Sequence, residues 1–235
     1  MKYRELHRWD VTPREAAEIQ REVRAHQERA DRLGEIRTVA GADIAVDGRT
    51  GEACAGVIVY RFPELIEVER REARRKLAFP YVPGLLVFRE GPALLDAFEQ
   101  VRIEPDLILF DGHGYSHPRR FGFACHMGVL LDRPTIGCAK SLLVGEYEEP
   151  ANEVGTQAPL MDGEEVIGAV VRTRKDVHPI FVSIGHRVTL ATAVRLALAC
   201  CDGLRIPKPT READHYVEQV KLRRPGRSAQ AALEF

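Results

Sequence analysis

Apolar runs broken by short polar links divide the first third of the chain into strand-like segments at 36–46 (IRTVAGADIAV), 52–62 (EACAGVIVYRF) and about 65–77 (LIEVERREARRKL). The link DGRTG at 47–51 has hairpin chemistry, and Phe62-Pro63-Glu64 marks a second turn, so the three segments predict an antiparallel meander. The third segment is rich in Glu, Arg and Ala and would also suit a helix; its hairpin context favours a strand. Ahead of them, residues 12–31 read as a helix, with Thr12 as its cap and Pro13 in its first turn.

After the Pro/Gly-bounded loop FPYVPG, apolar positions near helical spacing predict a helix over about 87–101, kinked or divided at Gly91-Pro92. A strand at 106–111, a glycine-rich loop, a helix at about 123–132 and a strand at 135–140 follow. VIGAVVRT and PIFVSIGHRV read as two further strands, then a helix runs from Thr189 to about Cys201. Thr210 is expected to cap a last helix rich in Arg and Glu, and the tail after Pro225, about the last ten residues, reads as frayed. Three antiparallel strands followed by alternating helices and strands predict one mixed α/β domain over residues 1–235, with no internal repeat and no interdomain linker.

Composition narrows the class without naming it. The 235 residues are 45% hydrophobic and 29% charged, ordinary for a globular protein, and 34 basic against 35 acidic side chains leave a formal net charge of −1. A nucleic-acid partner would therefore need local basic clusters. Candidates are Arg70, Arg71, Arg74, Arg75 and Lys76; Arg119 and Arg120; Arg172, Arg174 and Lys175; and Lys208, Arg211, Lys221, Arg223, Arg224 and Arg227. Such clusters are usually solvated faces and decide nothing alone. Five cysteines without zinc or redox spacing, no apolar signal core and no run long enough to span a bilayer lead us to expect a soluble, cytoplasmic protein.

The chemistry concentrates at DLILFDGHG, residues 106–114, where an apolar strand runs into Asp111 and glycines flank His113. Open α/β sheets bind ligands at the carboxyl ends of such strands. Asp43, in VAGADIAV, is a second carboxylate inside an apolar strand. Burying one unpaired carboxylate costs several kcal/mol in order of magnitude, so two of them point to a bound hard cation of the Mg²⁺ type and to phosphate chemistry. Glu90 is a candidate third acid, placed near a helix start where the dipole would favour its charge. His117 and Lys140 are candidate partners for a phosphate oxygen or leaving group. In Pro80-Tyr81-Val82-Pro83-Gly84, two prolines stiffen a loop that presents an aromatic ring, a form that suits a wedge into stacked bases.

The motifs GADIAV, FPYVPGLLVFRE, DGHGYSHPRRFG, GCAKS, PIFVSIGHR and PKPTREAD occur in that order, and on them the chain, from about residue 10 to about 224, resembles the endonuclease V family of deoxyinosine 3′-endonucleases. The resemblance implies a ribonuclease H-like α/β fold: a mixed sheet of an antiparallel three-strand meander plus parallel strands, flanked by helices. It implies hydrolysis of the second phosphodiester bond 3′ to an inosine, dependent on Mg²⁺ with Mn²⁺ as substitute, leaving 3′-hydroxyl and 5′-phosphate ends. By the same resemblance, Asp43 and Asp111 bind metal and Glu90 completes the acidic set, with His117 and Lys140 supporting catalysis. Tyr81, flanked by Pro80 and Pro83, is the implied wedge; Gly84, Leu86, Gly112 and Gly122 are the implied pocket, built largely from backbone. Asp214 in READHY is placed near the metal region but not counted as a ligand, and the acidic segment 141–165 has no functional account. The expected partner is inosine-containing DNA met by a monomer. The alternatives are an inosine-specific ribonuclease and a non-catalytic binder of damaged DNA; clustered acids beside phosphates argue against the last.

Overall fold

In the computed structural model, residues 1–223 are described; the tail expected after Pro225 lies outside the described residues, as do Arg224 and Arg227. The predicted meander is present: β1 (Thr38–Asp47), β2 (Glu52–Arg61) and β3 (Ile66–Lys76) pair antiparallel through the two expected turns. The third segment is thus a strand despite its composition. Its alternating Arg and Glu suit a sheet edge, where charged side chains discourage further pairing.

The remaining strands are β4 (Leu107–Phe110), β5 (Thr135–Ala139), β6 (Gln157–Asp162), β7 (Glu165–Val171) and β8 (Ile180–His186), giving one sheet ordered β3-β2-β1-β4-β5-β8-β7-β6. β1, β4 and β5 run parallel, and β8, β7 and β6 continue antiparallel. The mixed α/β architecture is the one expected. β6 is an addition to it, inside the acidic stretch 141–165; it is short and carries Pro159, which an edge strand tolerates.

Among the described residues five α-helices flank the sheet: α1 (Pro13–Val23), α2 (Leu86–Glu99), α3 (Phe123–Leu131), α4 (Leu190–Ala199) and α5 (Lys208–Leu222). Strand alternation sorts the core between its two faces. Ile108 and Phe110 of β4 pack with Phe88, Leu94 and Met127 of α2 and α3, whereas Leu107 and Leu109 pack with Val194, Ala197, Tyr216 and Val220 of α4 and α5. Among the described residues no helix is long and apolar enough to cross a membrane.

Three helix boundaries depart from expectation. α1 opens on the predicted Thr12, which with Glu15 forms a full capping box, but it stops at Val23, followed by one 3₁₀ turn, Arg24–His26. Beyond it the chain is captured by the end of β8: Gln27 Nε2 donates to Gly185 O at 2.7 Å and Glu28 N to His186 Nδ1 at 3.1 Å. α2 is not divided at Gly91-Pro92, because the helix continues through Pro92 and buries both residues. Thr210 does not cap α5. The cap position falls three residues earlier, on Pro207, with Lys208 as the first helical residue, and the Thr210 hydroxyl donates back to Pro207 O at 3.0 Å.

Candidate active site

Register places the acids. Ala42 of β1 pairs with Phe110 of β4, so the next residues, Asp43 and Asp111, stand side by side at the carboxyl end of the parallel strands. Both point to the face covered by α5, which supplies Asp214. One carboxylate oxygen from each of Asp43, Asp111 and Asp214 lies within 4.8 Å of the others. Lys140, just past the end of β5, puts Nζ 2.5 Å from Asp111 Oδ2 and 2.8 Å from Asp214 Oδ2. Its own carbonyl is held by Arg205 Nη2 at 2.7 Å. Asp214, not counted from the sequence, is therefore a full member of the cluster. It is over a hundred residues from Asp43, and α5 brings it in.

The electrostatics follow from crowding. Burial, reinforced by the charges of Asp111 and Asp214 and opposed by the Ile44 amide and Lys140, pushes Asp43 up to about 7. Burial also raises Asp111, against the pull of Lys140. Burial works against the Lys140 ammonium, but its bonds to Asp111 and Asp214 outweigh that and hold its pKa above the usual lysine value. Glu90 reaches the same place from the other side of the sheet end: with Asp43 and Asp111 it lines a cavity of about 20 Å³, room for one water-sized occupant. Burial raises Glu90 to about 7, Arg89 opposing. The helix dipole expected to favour its charge does not prevail, since Glu90 is the fifth residue of α2 and the effect fades within the first turn.

All these donors are hard oxygens, their charges repel, and a small cavity adjoins them; the set fits a hard divalent cation. A consequence can be measured. As pH rises from the ordinary carboxylate range through about 7, the folded protein must ionise Asp43 and Glu90 while the unfolded chain has already done so, and stability falls. A bound cation removes that penalty. Mg²⁺ or Mn²⁺ should raise the melting temperature more at about pH 8 than at about pH 5.5. Equal shifts at the two pH values would locate the ion elsewhere.

A second cavity, of about 180 Å³, adjoins the first, with Leu86 and Phe123 lining both. Gly84, Leu86 and Gly112, expected in the pocket, line it, and so do Tyr81 and Pro83. Tyr81 is 69% exposed, and Pro80 beside it is exposed as well and does not line the cavity; Phe79, one residue earlier, is the one that is buried. Gly122, also expected there, does not line the cavity. A Cβ on it would fall 2.5 Å from His113 O and 2.7 Å from Gly114 O, so it lets α3 start tight against the 113–114 loop behind the wall. His117 is buried and faces the second cavity: its Nε2 is 3.1 Å from Gly84 O, and its Nδ1 accepts from the Arg119 amide at 3.1 Å. Burial, helped by the Arg119 charge, lowers its pKa to about 4, and burial does the same for His113, another lining residue. Sequence reading passed over His113, although its place between two glycines of the 106–114 motif was a usable signal.

Comparison with known proteins agrees with this geometry. The profile of the family described as Endonuclease V matches residues 17–215. An endonuclease V of Roseiflexus castenholzii is 48% identical over 218 residues, covering 93% of this chain and 97% of its own. The crystal structure of a Streptomyces avermitilis endonuclease V superposes with a TM-score of 0.87 at 40% identity, covering 90% of this chain and 94% of that one. A Ciona intestinalis endonuclease V in complex with a 23mer DNA containing an inosine followed by a ribo-adenosine gives a TM-score of 0.80 at 29% identity, covering 90% and 98%.

Proposed function

Since the chain belongs to the endonuclease V family, whose members are nucleases, we propose that it nicks DNA at deaminated adenine, hydrolysing the second phosphodiester bond 3′ to the inosine to leave 3′-hydroxyl and 5′-phosphate ends. One observation carries the reading: a cluster of three carboxylates stands against a mostly apolar cavity of nucleobase size, with Leu86 and Phe123 as their common wall. The two sites can thus be occupied by different parts of one strand.

In this reading the inosine leaves the stack, which is cheapest at a weak pair, and enters the cavity beside Gly84, Leu86 and Gly112. The exposed ring of Tyr81, held up by Pro80 and Pro83, fills the gap left behind. Asp43, Asp111 and Asp214 would hold Mg²⁺ or Mn²⁺, with Glu90 facing the adjoining cavity; when bound, the ion supplies positive charge at the scissile phosphate and a more acidic water. Lys140, kept charged by Asp111 and Asp214, offers its ammonium to a phosphate oxygen or the leaving oxygen. Glu90, with its pKa near 7, can accept a proton from the attacking water. His117 stands in the pocket wall.

The test is a nicking assay on matched DNA and RNA carrying one inosine, each with Mg²⁺ and with chelator. Cation-dependent nicking of the DNA at the stated bond is expected, and the RNA arm measures any preference read through the 2′-hydroxyl. Binding of the DNA without nicking in either metal would defeat the catalytic reading.

A further inference from the structure

One carbonyl in the molecule is held by more donors than it needs. Gly84 O accepts from Gln20 Nε2 at 3.2 Å, from His117 Nε2 at 3.1 Å and from Arg119 Nη2 at 2.6 Å. The three donors brace one another. Arg119 Nε donates to Gln20 Oε1, and the Arg119 amide donates to His117 Nδ1, which assigns the imidazole proton to Nε2. Gln20 is 1% exposed, and its second N–H donates to Phe121 O at 2.7 Å, so every polar atom of its amide is used.

The carbonyl in question ends the loop that presents Tyr81. Gly84 has φ +78°, a left-handed conformation that costs glycine little, and a Cβ there would fall 2.7 Å from Arg119 Nη2. Tyr81 itself is exposed. The carbonyl held by the three donors lies three residues after it in the same loop. Among the described residues no carboxylate lies within ion-pair distance of Arg119, and its guanidinium is spent on neutral acceptors of this network. An ion pair does not explain why it is there.

We infer that Gln20, acting through Arg119 and His117 on the Gly84 carbonyl, is a positioning residue for the Tyr81 loop, fixing the angle at which the wedge meets duplex DNA. The inference rests on the proposed wedge role of Tyr81. It gives α1, which contributes none of the acids, a part in lesion engagement, and it makes His117 a holder of the loop. The low pKa of His117 agrees, since a neutral ring is the one that donates from Nε2 and accepts at Nδ1.

The experiment compares the parent with Gln20→Leu, which keeps the shape and removes the Gln20 bonds that brace Arg119 and the Gly84 carbonyl, and with Arg119→Lys, which cannot serve Gln20 and Gly84 together. Insertion is read without metal, from the fluorescence of 2-aminopurine beside an inosine in duplex DNA, and cleavage is then measured with Mn²⁺ on the duplex and on the same inosine strand alone. Both variants should lose insertion, and KM on the duplex should rise about ten-fold more than KM on the single strand, the loss of roughly one charge-assisted hydrogen bond. Added to Tyr81→Ala, Gln20→Leu should cost less than about two-fold further, because both act through one loop. Parent-like insertion by both variants overturns the inference, as do equal losses on the two substrates or full additivity with Tyr81→Ala. Should Gln20→Leu melt early, Arg119→Lys, whose side chain is only partly buried, carries the same comparison. A parent that inserts but never nicks defeats the catalytic reading alone, and the variants still judge the loop; a parent that does neither removes both.

Discussion

Asp111→Asn is expected to lower single-turnover cleavage of an inosine duplex by at least about a thousand-fold while leaving binding within a few-fold. Asp111 contributes to the carboxylate cluster, pairs with Lys140 at 2.5 Å and lines the small cavity with Glu90 and Asp43. Asparagine keeps the shape and one oxygen for Lys140, but it removes the charge that a cation requires. The fold should not suffer. Burial raises the Asp111 pKa, so its charge is a strain on the metal-free protein, and the variant should melt no lower than the parent without added metal. Cleavage, binding by fluorescence anisotropy and a melt separate the possibilities. Turnover within a few-fold of the parent would take Asp111 out of the mechanism, and lost binding with an early melt would make it structural.

Gly41→Ala should have the largest effect on stability. Gly41 lies in β1, two residues before Asp43, paired on one side with β2 and on the other with β4. A Cβ there would sit 1.9 Å from Pro209 O and 2.1 Å from its carbonyl carbon, both backbone atoms at the start of α5. The strand is fixed by two neighbours, so α5 must move, and α5 carries Asp214. We expect a loss of about 3 kcal/mol or more, a fall in melting temperature of about 6–12 °C, and weaker cation binding through the displaced Asp214. Gly48→Ala is the control, since no atom lies within 4 Å of its added Cβ. If Gly41→Ala melted within about 2 °C of the parent, the contact between α5 and β1 would be looser than drawn.

Much of the scaffold could be read in advance because its signals are local. Period-two alternation, the DGRTG hairpin and the Thr12 capping box each concern residues a few positions apart, and these elements stand where they were expected. Asp43 and Asp111 were visible for a related reason: a carboxylate within an apolar strand, or at its end, contradicts its surroundings and calls for an explanation. β6 escaped because six residues with a proline carry too weak a pattern, and α1 was drawn too long because its end is imposed from β8.

The order of strands and the approach of α5 to the sheet belong to another scale. Asp214 is one acid in a helix rich in charge, and Gln20 is one polar residue on the buried stripe of α1, between Ala16 and Val23; neither names its distant partners. Packing makes them matter, by setting Asp214 beside two carboxylates and by burying Gln20 against Arg119 and the Gly84 carbonyl. Chain periodicity tells which face of an element seeks the core. Which distant side chains then meet depends on register, crossover and close contacts such as Gly41 against Pro209, and these are settled only when the whole sheet and its helices pack together.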